Sequence, residues 1–205
     1  KILHEVQDQG MRWQDYAILT RDVQGYHDLL EQVFDQYHIP LFLDVKRKMI
    51  HHPIVECLRS LLDIFKSQWK YDAVLRCLKT DLVTPWKNRA ERHEWQHKID
   101  VLENMALAYG LQGHKWFSFN YKKLAEDAGR LGMTENLWLE LQAEVLEPIK
   151  RLEAELNEAE DVGSFCLSLF QFIEQIAAPY KLQQWAEEAE QDQLLQKARE
   201  HEQAW

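Results

Sequence analysis

The chain has 205 residues, 46% of them hydrophobic, with seven Gly and five Pro and a formal net charge of −10. This composition is typical of a helical globular chain and argues against a β-sandwich, a β-barrel and a disordered segment. No apolar run approaches the roughly 18 residues of a membrane span and no signal peptide is recognisable, so we expect no membrane partner and a cytoplasmic location.

The first fifty residues alternate between helix and strand patterns. Gly10 is placed as the C-cap of an opening helix, and Tyr16–Leu19 is a short apolar run suited to a buried parallel strand. Apolar residues of 26–37 then recur at helical spacing up to Pro40, and Leu41–Leu43 is predicted as a second strand. Two strands flanking one helix need a larger parallel sheet, which this chain cannot complete.

From Pro53 onward, almost every apolar pattern has the period of a helix. Pro53 suits a first helical turn, Gly110 a helix end, and Pro148 is expected to kink a long helix. We therefore predict a mainly α protein, with a small α/β edge in residues 1–50 and an all-helical module in residues 51–205. The chain opens on Lys1 rather than Met and its end continues a helical pattern, so we expect a fragment of a longer protein.

The charge is unevenly distributed. Residues 1–100 carry 15 basic and 15 acidic side chains, whereas residues 101–205 carry 9 and 19. Because Lys and Arg supply most of the affinity for phosphate backbones, any contact with DNA must come from a local patch. The best candidate is a basic stretch with Arg59, Lys66, Lys70, Arg76, Lys79, Lys87, Arg89 and Arg92, in which we single out Lys66, Lys70 and Lys79 as DNA contacts. A short basic loop of Lys46, Arg47 and Lys48 is a further candidate. A solvated surface balanced by acids would explain the same pattern.

One motif matches a catalytic pattern. His93, Glu94 and His97 form H-E-x-x-H, which on a helix places two imidazoles on one face with Glu as a general base for zinc-bound water. The charged flanks and the lack of a defined third ligand favour an exposed helix face instead. Cys57, Cys77 and Cys166 have no metal-binding spacing and are predicted to be buried hydrophobic residues.

No glycine-rich phosphate loop, nucleophile elbow or kinase signature occurs in the sequence. A zinc-dependent hydrolase using His93 and His97 remains an alternative function. A helical adaptor that binds an amphipathic partner through the Trp185 region is another.

Several segments together resemble a known family. They are Tyr16–Arg21, Tyr26–Phe34, Ile39–Asp44, Lys46, His52-Pro53, Glu56, Ser60–Leu62, Trp69–Val74, Leu78–Leu82 and Lys197–Gln203. This run of segments resembles the B subunit of the AddAB-type ATP-dependent helicase/deoxyribonuclease, most strongly over residues 12–85 and again near the end of the chain.

The resemblance implies a part of a bacterial machine that processes double-strand breaks for recombinational repair. Its B subunit pairs with an A-subunit motor, acts on DNA and helps to recognise the hotspot sequence Chi. Residues 1–50 would open the second motor domain, a P-loop NTPase domain called 2A, and residues 51–205 would be the inserted helical domain 2B. ATP, Mg²⁺ and an iron–sulfur cluster would belong to other parts of the parent, so this chain would hold no cofactor itself.

The resemblance also places two residues near the nucleotide. In active superfamily 1 helicase motors, two arginines lie six residues apart, and the second contacts the γ-phosphate of the nucleotide. Here Arg21 fits the first position and His27 occupies the second. A neutral imidazole cannot supply the bidentate cation used in phosphoryl transfer. We therefore expect a helicase-like segment without catalytic activity.

Overall fold

The computed structural model describes residues 2–42, 49–121 and 125–204, which form two compact units, residues 1–48 and 49–205. The division lies close to the predicted boundary between residues 50 and 51. The assignment of the two units to motor domains 2A and 2B stays a prediction.

The described part of the first unit, residues 2–42, contains two α-helices. Helix α1 spans Ile2–Gln9 and is followed by Gly10, whose φ of 70° is the left-handed conformation expected after a helix end. A 3₁₀ turn at Trp13–Asp15 follows, and helix α2 spans Val23–Gln36. Asp22 caps α2 by accepting the backbone N–H of Gly25 at 2.8 Å.

The predicted strands are not formed in the described part of this unit. Residues 16–20 and 41–42 belong to neither helix nor strand, although the backbone at Tyr16 is extended, with φ −108° and ψ 137°. Leu43 lies outside the described residues. A β-strand exists only through hydrogen bonds to a neighbour, and no strand is assigned anywhere in residues 2–42, 49–121 or 125–204. The described fold is therefore mainly α, and the predicted α/β edge is not seen.

The second unit is a helical domain that begins with a 3₁₀ turn at Met49–His51. Its first five helices are α3 (Pro53–Lys66), α4 (Tyr71–Leu78), α5 (Arg89–Tyr109), α6 (Lys115–Ser118) and α7 (Ala125–Arg130). Pro53 occupies the first turn of α3, and α5 ends at left-handed Gly110, as predicted. Helices α3 and α4 pack against each other as a hairpin.

The remaining helices are α8 (Glu135–Leu141), α9 (Glu147–Glu158), α10 (Val162–Gln175), α11 (Ala178–Gln191) and α12 (Leu195–Glu202). A π-helical turn at Gln142–Leu146 joins α8 to α9, where the N–H of Glu147 bonds the carbonyl of Gln142. Because Pro148 has no N–H to continue the ladder, this wider turn accommodates the proline at the position where the sequence predicts a kink.

The second unit has a continuous hydrophobic core. Its fully buried side chains include Leu61, Leu78, Leu102, Met105, Trp116 and Leu141. In contrast, none of residues 2–42 whose burial is described belongs to the buried class. The free energy of apolar burial, about 25 cal/mol per Å², therefore stabilises the second unit far more than the first.

Candidate functional surfaces

An open cleft of about 640 Å³ lies in the second unit. It is lined by the first turn of α3, the segment after α4, α5, α11 and α12. Two segments that carry the family resemblance, Leu78–Leu82 and Lys197–Gln203, both contribute side chains to it. The cleft therefore joins parts of the sequence more than 100 residues apart, which is why it is a candidate site.

Several basic residues of the cleft are paired with carboxylates. Arg92 pairs with Glu188 at 2.7 Å, with both side chains mostly buried. Arg76 contacts Asp63 at 2.8 Å and Glu56 at 3.6 Å. Arg89 and Lys197 also line the cleft, and no ion pair to a described residue involves them.

Lys79, a predicted DNA contact, is also paired. Its Nζ lies 2.6 Å from Glu103 Oε2, and this hydrogen bond raises the pKa of Lys79. The structure thus separates Lys79 from Lys66 and Lys70. Lys70 and Lys79 flank the eight residues of α4, so they lie at opposite ends of this helix, about 13 Å apart along its axis.

A buried lysine fixes the loop that borders the cleft. Lys181 Nζ donates hydrogen bonds of 2.7 Å to the carbonyls of Leu82 and Thr84, and it lies 5.5 Å from the centre of the Trp86 ring. Burial lowers the pKa of Lys181 to about 8. The loop also satisfies its own backbone, because Trp86 Nε1 donates to the carbonyl of Asp81 at 2.6 Å. Lys181 therefore acts as a structural anchor, because its ammonium group is engaged as a hydrogen-bond donor to this loop.

Two buried histidines join the two ends of the second unit. His52 Nδ1 accepts the N–H of Ile54, so its Nε2 carries the proton and donates to His201 Nδ1 at 2.9 Å. The pKa of His201 is lowered to about 4, chiefly by burial and also by the neighbouring His52 and Lys197, whereas Glu200 opposes the shift. Both imidazoles are therefore neutral at pH 7. His51, in contrast, is exposed.

The H-E-x-x-H residues lie on an exposed face of α5. His93, Glu94 and His97 all have exposed side chains, and Glu94 pairs with Lys98 at 2.9 Å. Among the described residues there is no group of three or more His, Cys, Asp or Glu side chains placed to hold a metal ion. Nothing in this arrangement supports the alternative of a zinc-dependent hydrolase.

The cysteines differ from one another in burial. Cys57 and Cys77 are buried and their thiols contact each other; the hydrogen bond to Cys57 and burial raise the pKa of Cys77 well above its usual value. The prediction for Cys166 was wrong, since this residue is exposed on α10. The sequence pattern was misleading because α10 is apolar on its outer face as well as its inner face, with Val162 and Leu167 also exposed.

Trp185 does not present the predicted docking stripe. It is 9% exposed, stacks on Trp86 with ring centres 6.0 Å apart, and packs against His201. Its ring is therefore part of the core at the cleft, and the alternative of an adaptor through Trp185 gains no support.

Arg21 and His27 lie at the start of α2. Arg21 is exposed and directly precedes the cap residue Asp22. The His27 side chain is 21% exposed, with Nε2 3.7 Å from Glu31 Oε1, while its buried Nδ1 atom has no hydrogen-bond partner. Arg21 therefore lies just before α2 and His27 lies in its first turns. The described residues show no other nucleotide-binding side chain beside them.

Lys66 and Lys70 lie on either side of a tight turn between α3 and α4. Both are exposed, and no ion pair involves them among the described residues. Between them, Gln68 and Trp69 have left-handed backbones, with φ of 57° and 61°. Lys46, Arg47 and Lys48 lie outside the described residues. The sequence pointed to Lys66 and Lys70, but it carried no sign of the left-handed turn that separates them.

The fold and these surfaces define the class: a mainly helical chain with one well-packed helical domain that carries an open cleft. No helix in this part of the chain is long and apolar enough to cross a membrane.

Comparison with known proteins identifies the particular family. No family model matches the chain. Proteins named as the B subunit of ATP-dependent helicase/deoxyribonuclease match it at 38% identity in Geobacillus kaustophilus and 37% in Geobacillus thermodenitrificans, both over 100% of the chain, and at 37% over 99% of it in Bacillus licheniformis. The chain spans 18% of the length of each relative. It is therefore homologous over its whole length to one segment of the helicase/deoxyribonuclease B subunit, which confirms the resemblance.

Proposed function

We propose that the chain is a non-catalytic, helicase-like segment of a bacterial helicase–nuclease B subunit that acts in double-strand-break processing and recombinational repair. The observation that carries this proposal is the homology to the B subunit over the whole chain. In the complete protein, the segment would work with an A-subunit motor on DNA in the cytoplasm. Recognition of the Chi sequence would be an activity of the complex as a whole. The complex would also bind ATP with Mg²⁺ and hold the iron–sulfur cluster.

The second unit has the geometry of an inserted domain. His52 lies at the start of its first long helix and His201 in its last helix, yet their ring nitrogens are 2.9 Å apart. A domain inserted into another must have both ends at one place, so that the host chain can close around it. This arrangement supports the assignment of residues 51–205 to the inserted domain 2B.

The first unit has the surface of an incomplete α/β domain. Ile18, Leu19 and Phe42 are 52%, 96% and 77% exposed, and they belong to the segments that the sequence predicts as strands. On α2, Tyr26 and Leu29 of the predicted apolar face are also exposed. A parallel sheet buries both strand faces and the inner face of its helices. These side chains are therefore suited to a sheet supplied by the rest of the B subunit, as expected for the start of motor domain 2A.

The residues near the nucleotide favour a segment without ATP hydrolysis. His27 takes the position where active motors carry the second arginine, and an imidazole lacks the planar fork with which Arg holds a phosphate. Arg21 alone would provide one cation at this site, which is less than phosphoryl transfer requires. The B subunit would therefore not hydrolyse ATP at this place.

The experiment measures DNA-stimulated ATP hydrolysis by the complex after the A subunit has been inactivated in its own ATP-binding loop. We expect no hydrolysis above background, because the remaining nucleotide site lacks the second arginine. A matched complex with Arg21→Ala in the B subunit should give the same result. Residual hydrolysis that disappears on Arg21→Ala would contradict the non-catalytic assignment.

A further inference from the structure

The turn between α3 and α4 is held rigidly in an unusual conformation. Two successive residues other than glycine, Gln68 and Trp69, have positive φ, a conformation in which the Cβ of an L-residue crowds the backbone. Strained backbone of this kind persists only where the surroundings impose it, and it is concentrated at functional sites.

The surroundings of Trp69 supply that constraint. Its N–H donates to the carbonyl of Ile64 at 2.8 Å, and its carbonyl accepts the N–H of Gly113 at 2.9 Å and the Nε1–H of Trp116 at 3.0 Å. The indole Nε1–H donates to Glu153 at 2.8 Å, and the ring meets Phe117 edge to face at 4.7 Å. The turn is thereby fixed to α6 and α9.

This packing brings lysines from three parts of the chain near the turn, in a region that we call the Trp69 turn surface; the Nζ of one of them, Lys115, donates to the carbonyl of Gly110 at 3.3 Å. This surface consists of Lys66 and Lys70 beside the turn, Lys115 next to Trp116, and Lys150, whose Nζ lies 4.3 Å from the centre of the Phe117 ring. All four lysines are exposed.

These lysines have few ion pairs. Within the described residues, Lys66, Lys70 and Lys115 have no carboxylate within ion-pair distance, and Lys150 has only Glu147 at 3.8 Å. Nearby carboxylates include Asp72, Glu147 and Glu153, the last of which accepts the Trp69 indole N–H. The surface therefore carries lysine charges that are mostly not paired directly, in a chain with a formal charge of −10.

We propose that the Trp69 turn surface binds the phosphate backbone of duplex DNA; the choice of ligand rests on the proposed function. Lysine is a compact point charge suited to backbone phosphates. Single strands are usually held by exposed aromatic rings that stack on bases, but Trp69 is 5% exposed, Trp116 is fully buried and Lys150 covers Phe117. The surface thus offers charge without a stacking platform, which favours the duplex.

The test measures binding of the full 205-residue chain to a labelled blunt-ended duplex of about 20 base pairs by fluorescence anisotropy, over about 25 to 200 mM KCl. The variant K66Q/K70Q/K115Q/K150Q is expected to weaken binding at least about tenfold at about 50 mM salt. It should also flatten the slope of log Kd against log salt by up to about 3.6, because each of four lost phosphate contacts on B-DNA contributes about 0.9. Circular dichroism confirms that the variant is folded.

The matched control is K87Q/R89Q/K197Q/R199Q, which removes the same charge from exposed residues elsewhere, including two on the cleft. We expect it to weaken binding by less than about threefold. Equal losses in both variants, no loss in the first, no duplex binding by the unmodified chain, or an effect confined to single-stranded DNA would each overturn the proposal. The ATP hydrolysis experiment does not depend on this surface, so the two proposals can fail separately.

Discussion

At the scale of single residues, two buried polar side chains hold distant parts of the second unit together. Lys181 on α11 binds two carbonyls of the loop after α4, and His201 on α12 binds His52 at the start of α3. Each contact joins residues that lie about 100 or more positions apart in the chain. When either contact is broken, a buried polar atom of the other residue loses its hydrogen-bond partner. Loss of such a partner is costly because the atom that remains cannot return to water.

Lys181→Met should lower the free energy of unfolding by about 2 kcal/mol. The carbonyls of Leu82 and Thr84 would lose their donor, a penalty partly offset because a desolvated charge is also removed. Urea unfolding followed by circular dichroism measures the change. Lys87→Met is the matched control, since Lys87 is exposed, and it should stay within about 0.5 kcal/mol of the unmodified chain. Similar stabilities for the two variants would show that Lys181 is not an anchor.

The neutral His52–His201 pair makes stability depend on pH. The pKa of His201 is lowered to about 4 in the folded chain, so between pH 6.5 and pH 4 the unfolded chain binds more protons. Stability is therefore fully present above pH 6.5 and falls as the pH falls. The lowered pKa of His52 acts in the same direction. We expect a loss of about 2 kcal/mol between pH 7 and pH 5.

Unfolding by urea at several pH values tests this dependence. His201→Gln should be less stable at pH 7 but should lose much of the slope between pH 7 and pH 5. His93→Gln is the control, because His93 is exposed and should leave the slope unchanged. An unaltered slope in His201→Gln would assign the pH dependence to other groups.

At the scale of elements, local signals account for most helix boundaries, whereas packing determines the turns. Gly10 and Gly110 end their helices in left-handed conformations, and Pro53 begins α3. The turn at Gln68 and Trp69 is different, because it adopts left-handed backbone without glycine. Its geometry follows from the bonds that Trp69 makes to the segment around α6.

Gln68→Gly should raise the free energy of unfolding by about 0.5–1 kcal/mol. Glycine has no Cβ to strain at φ 57°, and this gain exceeds its larger entropy in the unfolded chain. The Gln68 side chain is exposed, so little contact is lost. Gln171→Gly within α10 is the control, and it should cost about 1 kcal/mol. The urea concentration at the midpoint of unfolding distinguishes the two variants. A lower midpoint for Gln68→Gly would mean that the backbone at Gln68 is not strained.

At the scale of the whole molecule, the two units differ in how far their apolar side chains are buried within the chain. The second unit contains the continuous core, whereas the first has exposed apolar side chains at Ile18, Leu19 and Phe42. This difference is expected if the first unit completes its packing only within the longer protein.

Limited proteolysis should cut the first unit well before the second. Few buried contacts oppose local opening in residues 2–42, so its cleavage sites become accessible at low free-energy cost. Mass spectrometry should detect an early, persistent product beginning near residue 49, and its thermal midpoint should match that of the full chain within a few degrees. Comparable cleavage rates in both units, or a product that unfolds, would contradict this expectation.

The sequence by itself determined the helices of the second unit, several of their ends and the relationship to the helicase/deoxyribonuclease B subunit. These features depend on residues close together along the chain, such as apolar spacing, Gly10 or Pro53, or on the order of segments. The sequence also grouped Lys79 with Lys66 and Lys70 as candidate DNA contacts, which stays a prediction.

Tertiary contacts, in turn, pair Lys79 with Glu103, place Lys150 over the Phe117 ring and leave the H-E-x-x-H histidines exposed. Strand formation at Tyr16–Leu19 likewise depends on neighbours that the local sequence cannot supply. The physical reason is the same in each case: charge compensation, burial and strand pairing are set by distances in space between residues that lie far apart in the chain.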